Sequence, residues 1–145
     1  MKALIQRVKY ASVKVDGKIV GQIKNGLLVF LGVQKGDKKD EADFLSKKIC
    51  HLRIFEDENG KMNKSLLDVN GQMLVVSQFT LCADTSRGNR PGFEYAADPK
   101  DAEPIYEYFS NKVRESGTEV QNGVFGADMK VELLNDGPVT LMLEK

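Results

Sequence analysis

The sequence predicts an α+β domain, with two main helices beside a mostly antiparallel or mixed, barrel-like β-sheet. Three observations carry that expectation. Apolar and polar residues alternate with short period at both ends of the chain. Two segments between them repeat apolar residues at three- and four-residue intervals, the spacing of a helix face. Turn-forming pairs such as Asp16-Gly17 join the alternating segments. Seven or more short strands, largely joined by hairpin turns, do not make the all-parallel sheet of a βαβ repeat.

The first third reads as three strands. Ala3 to Val8 and Ala11 to Val15 alternate, with Val13 and Val15 on one face and Ser12 and Lys14 on the other. Asp16-Gly17 tolerates positive φ at both positions, so Ile19 to Ile23 returns as a hairpin. Asn25-Gly26 is expected to turn again, and Leu27 to Val33 reads as a fully buried strand. A helix follows, capped by Asp37, with Asp40 and Glu41 at its positive end and Lys47 and Lys48 toward the other. Its buried stripe is Ala42, Leu45, Ile49 and Leu52.

Asn59-Gly60 and Asn70-Gly71 punctuate short extended segments, and Gln72 to Leu81 reads as a further strand. Cys82 to Ala97, with Gly88, Pro91 and Gly92, is a loop. The second helix opens on Asp98 as cap with Pro99 at the first helical position, buries Ala102, Ile105, Phe109 and Val113, and ends at Gly117. Strand signals return at Val131 and Leu133 and over Val139 to Leu143, divided by Asp136-Gly137-Pro138.

Length and charge limit the function. At 145 residues without a linker, low-complexity stretch or internal repeat, residues 1–145 read as a single domain. Twenty-one basic residues balance twenty-one acidic ones, which argues against coating long DNA or RNA duplexes but leaves room for a local grip on an RNA end. The longest uncharged apolar run, Gly26 to Val33, is too short to span a bilayer. Met1-Lys2 leads into an alternating segment rather than a signal-peptide core. Cys50 and Cys82 are too few for a disulfide framework or a thiolate metal site. These features indicate a cytoplasmic, reduced protein with no membrane partner.

No familiar catalytic set is present. His51 is the only histidine, near the end of the first helix, and reads as structural or solvent-facing. GxSxG, HExxH and P-loop patterns are missing. Asp57, Asp84 and Asp128 have no metal-ligand spacing, and surface acids are their plain reading. Three features are less ordinary. Ser77-Gln78-Phe79-Thr80 ends an apolar strand with three hydrogen-bonding side chains around one aromatic; it is either a site or a strand emerging at the surface. Ser86 to Phe93 holds Arg87, Arg90 and Phe93 on flexible backbone, suited to phosphate contact and base stacking, or simply a surface turn. Gly137-Pro138 lies between extended segments, as a rigid cis turn or an ordinary trans one.

These residues resemble the D-aminoacyl-tRNA deacylase family. Ser77-Gln78-Phe79-Thr80-Leu81 looks like its first hallmark and Gly137-Pro138-Val139-Thr140 its second. Gln6-Arg7-Val8 with Ala11-Ser12-Val13, the Asn89-Arg90-Pro91 loop and the full length follow the same pattern. Gly92 stands where members often carry serine, and Arg87 where lysine is common.

The resemblance implies a homodimer in which Ser77, Gln78, Phe79 and Thr80 of one subunit meet a cis Gly137-Pro138 turn of the other. It implies a D-aminoacyl-tRNA substrate, with glycyl-tRNA also cleaved, and no metal or organic cofactor. Arg87, Arg90 and Phe93 are the expected tRNA-binding residues, with Arg7 in structural support.

The reaction so implied is hydrolysis of the ester on the terminal ribose. Its main need is positioning and oxyanion stabilisation, expected from backbone N–H groups near Phe79 and Thr80. Thr80 has no base beside it in sequence, so attack by water with help from the ribose 2′-hydroxyl is favoured over a threonine nucleophile. A noncatalytic RNA-end module, supported by the Arg87–Phe93 loop and the cluster of Lys35, Lys38 and Lys39, stays open, as does a small esterase indifferent to tRNA.

Overall fold

The computed structural model describes residues 1–145. Strand β1 (Lys2–Val15) is one continuous element where two segments were expected. Lys9 and Tyr10 are consecutive exposed residues, which interrupts the alternation, and the strand passes through them by shifting register against a neighbour. Asp16 and Gly17 have φ of 50° and 77°, as a two-residue hairpin requires. Strand β2 (Lys18–Ile23) then returns antiparallel.

Asn25-Gly26 is not a second reversal. Ala11 faces Ile23 and Val8 faces Gly26, so β2 and β3 (Gly26–Gly32) follow one another along the same edge of β1. Glycine is required at the break for another reason: a Cβ on Gly26 would lie 1.9 Å from the carbonyl oxygen of Gln72 on the adjoining strand.

Helix α1 (Lys39–His51) buries Ala42, Leu45 and Ile49 as expected, while Leu52 follows it as a half-buried C-cap. Asp37 does not cap it. Its carboxylate accepts instead from the Met1 ammonium at 2.9 Å and from the Gln34 N–H at 2.6 Å. Glu41 reaches back to accept from the Lys38 N–H at 2.7 Å, half of a capping box.

Strands β4 (Phe55–Glu56) and β5 (Met62–Lys64) form a small separate hairpin. Strand β6 (Gln72–Ser77) runs parallel to β3 and stops four residues earlier than expected, because Phe79–Cys82 winds into a 3₁₀ turn. Helix α2 (Pro99–Glu115) starts at Asp98 and Pro99 as expected, and buries Ala102, Phe109 and Val113, with Tyr106 buried where Ile105 was expected and Ile105 only half-buried beside it. Gly117, with φ of 89°, follows its end. Strand β7 (Val120–Asn122) pairs parallel with β6. Strand β8 (Lys130–Glu144) pairs antiparallel with β1, and runs through Asp136-Gly137-Pro138 instead of dividing there.

The result is a mixed, nearly closed barrel flanked by two helices. Neither helix is long and apolar enough to cross a membrane. The strands β3 and β6 are buried on both faces. Leu27, Val29, Met73 and Val75 join Leu45, Ile49, Phe109 and Val113 under the helices. Leu28, Leu74 and Val76 point the other way, into a second cluster with Val8, Val13 and Ile23 inside the barrel. Such two-sided burial is why these strands read as unbroken apolar runs.

Gly26→Ala is expected to destabilise the protein by about 3 kcal/mol, since backbone must move to admit the methyl group. Gly17→Ala, which meets no atom within 4 Å but keeps a positive φ, should lose only about 1 kcal/mol. Urea unfolding of both variants checks the order; equal losses would contradict the close β3–β6 approach.

Candidate active site

Where β6 ends, its backbone opens one wall of a cleft of about 480 Å³. Ser77, Gln78 and Phe79 form that wall, the β7–β8 connection from Phe125 to Met129 forms another, and the buried residues Val76, Ala102 and Tyr106 complete the lining. The lining is mostly apolar, which suits a small organic group with a few directing polar contacts.

The 3₁₀ turn gives the polar edge its character. The Gln78 N–H donates to the Leu31 carbonyl at 2.8 Å, and the Leu81 N–H to the Gln78 carbonyl at 3.2 Å. Between those two bonds lie the N–H groups of Phe79 and Thr80, at the open start of the turn where no intrahelical acceptor precedes them. The Gln78 side-chain amide donates to the Thr80 hydroxyl. An amide N–H is a donor and cannot take the hydroxyl proton, so Thr80 has no base in this contact.

Phe79 is 58% exposed, and its ring meets Phe93 edge-on with centroids 5.0 Å apart. The loop that precedes Phe93 is closed by a pair of backbone bonds between Asp84 and Gly92, at 2.8 and 2.9 Å. Asp84 also accepts from the Ser86 N–H, and hydrogen bonding to Ser86 holds its carboxyl below the usual range. Arg87 and Arg90 project from the exposed tip, and neither is in an ion pair. The structure thus brings Phe93 to the rim of the Ser77–Thr80 segment and leaves the two arginines outside the cleft.

Gly137-Pro138 is a cis peptide. It is exposed and takes no part in lining this chain's own cleft. Gln6 faces Thr140 while Val8 faces Asn135, so the turn bulges from β8 opposite Arg7. Arg7, only 5% exposed, holds it: Nε donates to the Asp136 carbonyl at 2.9 Å and Nη1 to the Ile54 carbonyl at 2.6 Å. Lys9 adds a 3.2 Å ion pair to the Asp136 carboxylate. Asn135, which the sequence did not single out, accepts from the Val139 N–H at 3.0 Å and donates to the Thr140 hydroxyl at 2.8 Å.

The Phe125–Met129 wall was likewise missed, since that stretch carries neither periodicity nor a motif. His51 lies away from the cleft, with Nδ1 2.8 Å from the Lys47 carbonyl oxygen. No three His, Cys, Asp or Glu side chains converge as metal ligands do.

A family model described as D-Tyr-tRNA(Tyr) deacylase matches residues 4–144. A D-aminoacyl-tRNA deacylase of Geotalea daltonii is 59% identical over 144 residues, covering 99% of this chain and 96% of its own. One of Ruegeria pomeroyi is 60% identical, with 99% of each chain covered. A solved structure described as c-Myc DNA Unwinding Element Binding Protein superposes with a TM-score of 0.95 at 42% identity, over 100% of this chain and 99% of its own. A probable eukaryotic D-amino acid tRNA deacylase shares the fold at 18% identity, with a TM-score of 0.80 over 98% of this chain and 97% of its own. Relatives and family match together make the protein a hydrolase that acts on aminoacyl-tRNA. The chain belongs to the D-aminoacyl-tRNA deacylase family.

The two cysteines take no part in the cleft. Both are unpaired and buried, and burial pushes both thiols above their ordinary pKa. Each therefore stays a neutral thiol through neutral pH and becomes a thiolate only above that raised value. Native protein is expected to resist iodoacetamide at pH 7.5 and to label at both cysteines in urea. Rapid labelling of the native form, read by mass spectrometry, would contradict that burial.

Proposed function

We propose that the cleft receives the aminoacylated end of tRNA and that the Phe79 and Thr80 N–H groups stabilise the oxyanion formed as the ester is attacked. The observation that carries this reading is the pair of backbone donors left open where β6 gives way to the 3₁₀ turn. Fixed dipoles meet the developing charge without reorganising, which is the largest effect a protein lacking an acid–base pair can supply. Ser77 and Gln78 order the strand end, and Thr80 orients the ester. Water is the nucleophile, and the terminal ribose 2′-hydroxyl of the substrate assists it. Arg87, Arg90 and Phe93 hold the RNA beside the reacting end. No cofactor enters this scheme, and the cytoplasm, where charged tRNA is found, is its setting.

Handedness is assigned to Gly137-Pro138 of a partner subunit. A surface that gripped a D side chain would fail on glycine, which the proposed substrate range includes, so selection works by excluding the L side chain. Gly137 brings no side chain and Pro138 no N–H, so the turn presents carbonyl oxygens that can accept from the substrate ammonium. Arg7 supports the turn from behind. Two features favour a homodimer. The turn is exposed and away from its own chain's cleft, and β8 pairs only with β1, leaving a long edge with Leu134, Leu141 and Met142 exposed. Exposed apolar strand edges of this length are normally covered. The DNA element named for one relative is not carried over, because this chain's charges balance at 21 against 21.

Single-turnover assays on matched D-tyrosyl-, L-tyrosyl- and glycyl-tRNA are expected to show cleavage of the first and third, with the second spared. Replacing the terminal 2′-hydroxyl with hydrogen should nearly abolish cleavage; unimpaired turnover would refute the substrate's part in the chemistry. Binding without turnover would favour a noncatalytic module, and equal cleavage of simple amino esters an unspecialised esterase.

The shared site has its own test. Gly137→Ala forces a methyl group within about 3 Å of Arg7 Nη2 at a φ of 136°, displacing the turn. Where Thr80→Ala chains alone are slow, mixing the two variants under subunit exchange should restore activity, because each mixed dimer keeps one undamaged site. In an equal mixture that is about a quarter of the wild-type sites. No recovery after demonstrated exchange would count against a site built from two chains.

A further inference from the structure

Behind the cleft, a polar network that runs from buried Tyr106 through half-buried Asn122 to exposed Arg114 joins its two walls. The Tyr106 hydroxyl, on a residue only 4% exposed, donates to the Val75 carbonyl at 2.8 Å and accepts from Asn122 Nδ2 at 2.9 Å. Asn122 Nδ2 also donates to Ser110 Oγ at 2.8 Å, and its Oδ1 accepts from Arg114 Nη2 at 2.5 Å. Arg114 donates onward to Asn111 Oδ1 at 2.8 Å.

Val75 lies two residues before Ser77, on the strand that ends in the oxyanion donors. Asn122 is the last residue of β7, immediately before the connection that carries Phe125 to Met129. The next residue, Gly123, donates its N–H to the same Val75 carbonyl at 3.0 Å. One carbonyl oxygen therefore anchors both walls. The Tyr106 ring completes the link, packing on Phe125 at 5.8 Å between centroids while forming part of the cleft lining.

The network has one arrangement. A guanidinium only donates, so Asn122 must present Oδ1 to Arg114 and Nδ2 to Tyr106 and Ser110. Tyr106 accepts from Asn122 and must then send its proton to Val75. An apolar contact would hold β7 as firmly but would not fix its rotation. Directed hydrogen bonds between engaged partners do fix it, and no buried side-chain nitrogen or oxygen lacks a partner.

We propose that Tyr106, Asn122 and Arg114 are positioning residues that set the Phe125–Met129 wall against the Ser77–Phe79 wall, and so determine how tightly the aminoacyl end of tRNA is held. This rests on the reading of the cleft as the substrate site. Arg114 does not line that cleft, so its influence passes through β7, by way of Asn122 and of the Val120 carbonyl, to which Nη2 also donates at 3.5 Å.

The test is steady-state kinetics on D-tyrosyl-tRNA with intact dimeric enzyme. Asn122→Asp keeps the acceptor for Arg114 but puts an acceptor where Nδ2 donated, so the Tyr106 hydroxyl can no longer serve both Val75 and position 122; KM should rise about tenfold with kcat largely retained, the scale of losing a part-buried bond of this kind. Arg114→Ala should raise KM in the same direction. The double variant should be no worse than the more damaging single one, as expected of residues acting in one chain. Lys112→Ala, which removes a neighbouring cation outside the network, should leave KM unchanged.

A merely structural role would lower the folded fraction, scaling the apparent kcat while leaving KM in place. Should Asn122→Asp fail to fold, Tyr106→Phe removes only the hydroxyl and gives the same readout. Phe125→Ala distinguishes the network from the cleft. If it raises KM while the network variants do not, the positioning role falls and the substrate cleft stands. If Phe125→Ala leaves KM unchanged, both fall.

Discussion

The parallel pairing of β3 with β6 is the constraint on which the rest of the molecule depends. It brings two apolar strands together with both faces covered, the helices on one side and the barrel interior on the other. The approach is close enough that Gly26 must lack a side chain opposite Gln72. Because β6 is pinned between β3 and β7, the point where its backbone turns away is equally fixed. The open N–H groups of Phe79 and Thr80 lie at that point. Such groups are useful for catalysis only when held rigidly in advance.

A second anchor holds the other hallmark. Arg7 is buried on β1 and meets two carbonyl oxygens from distant parts of the chain, Ile54 and Asp136. A buried guanidinium is tolerated only when its donors are satisfied. Satisfying them here ties the Gly137-Pro138 bulge to the strand at the centre of the sheet. The turn is therefore a rigid projection from β8 although it is exposed. On the proposed reading, rigidity is the property a chiral gate needs, since a compliant loop would yield to an L side chain.

The chemistry on offer is correspondingly spare. Thr80 is engaged by an amide donor, His51 belongs to a helix end, and both thiols are buried and neutral. On the proposed reading what remains is geometry: two backbone donors, an apolar cleft and a wall aligned from behind by hydrogen bonds. An activated ester with a neighbouring hydroxyl is a substrate for which positioning and electrostatic stabilisation suffice.

Much of this was legible in the sequence by itself. The alternation of β1, the Asp16-Gly17 turn, the helix stripes and the Asp98-Pro99 start all depend on residues within a few positions of one another, where propensity and periodicity act. The two hallmark segments were visible for the same reason, as local strings of unusual side chains. Other features were decided only by tertiary structure. Asp37 leaves its cap because the Met1 ammonium is a stronger partner for its carboxylate. Asn25-Gly26 continues along β1 because β6 closes against Gly26. The Phe125–Met129 wall and the Tyr106–Asn122–Arg114 network have no sequence signature, because their members interact across elements rather than along one. Short-range periodicity determined which elements form; long-range hydrogen bonding and close packing decided which residues meet at the site.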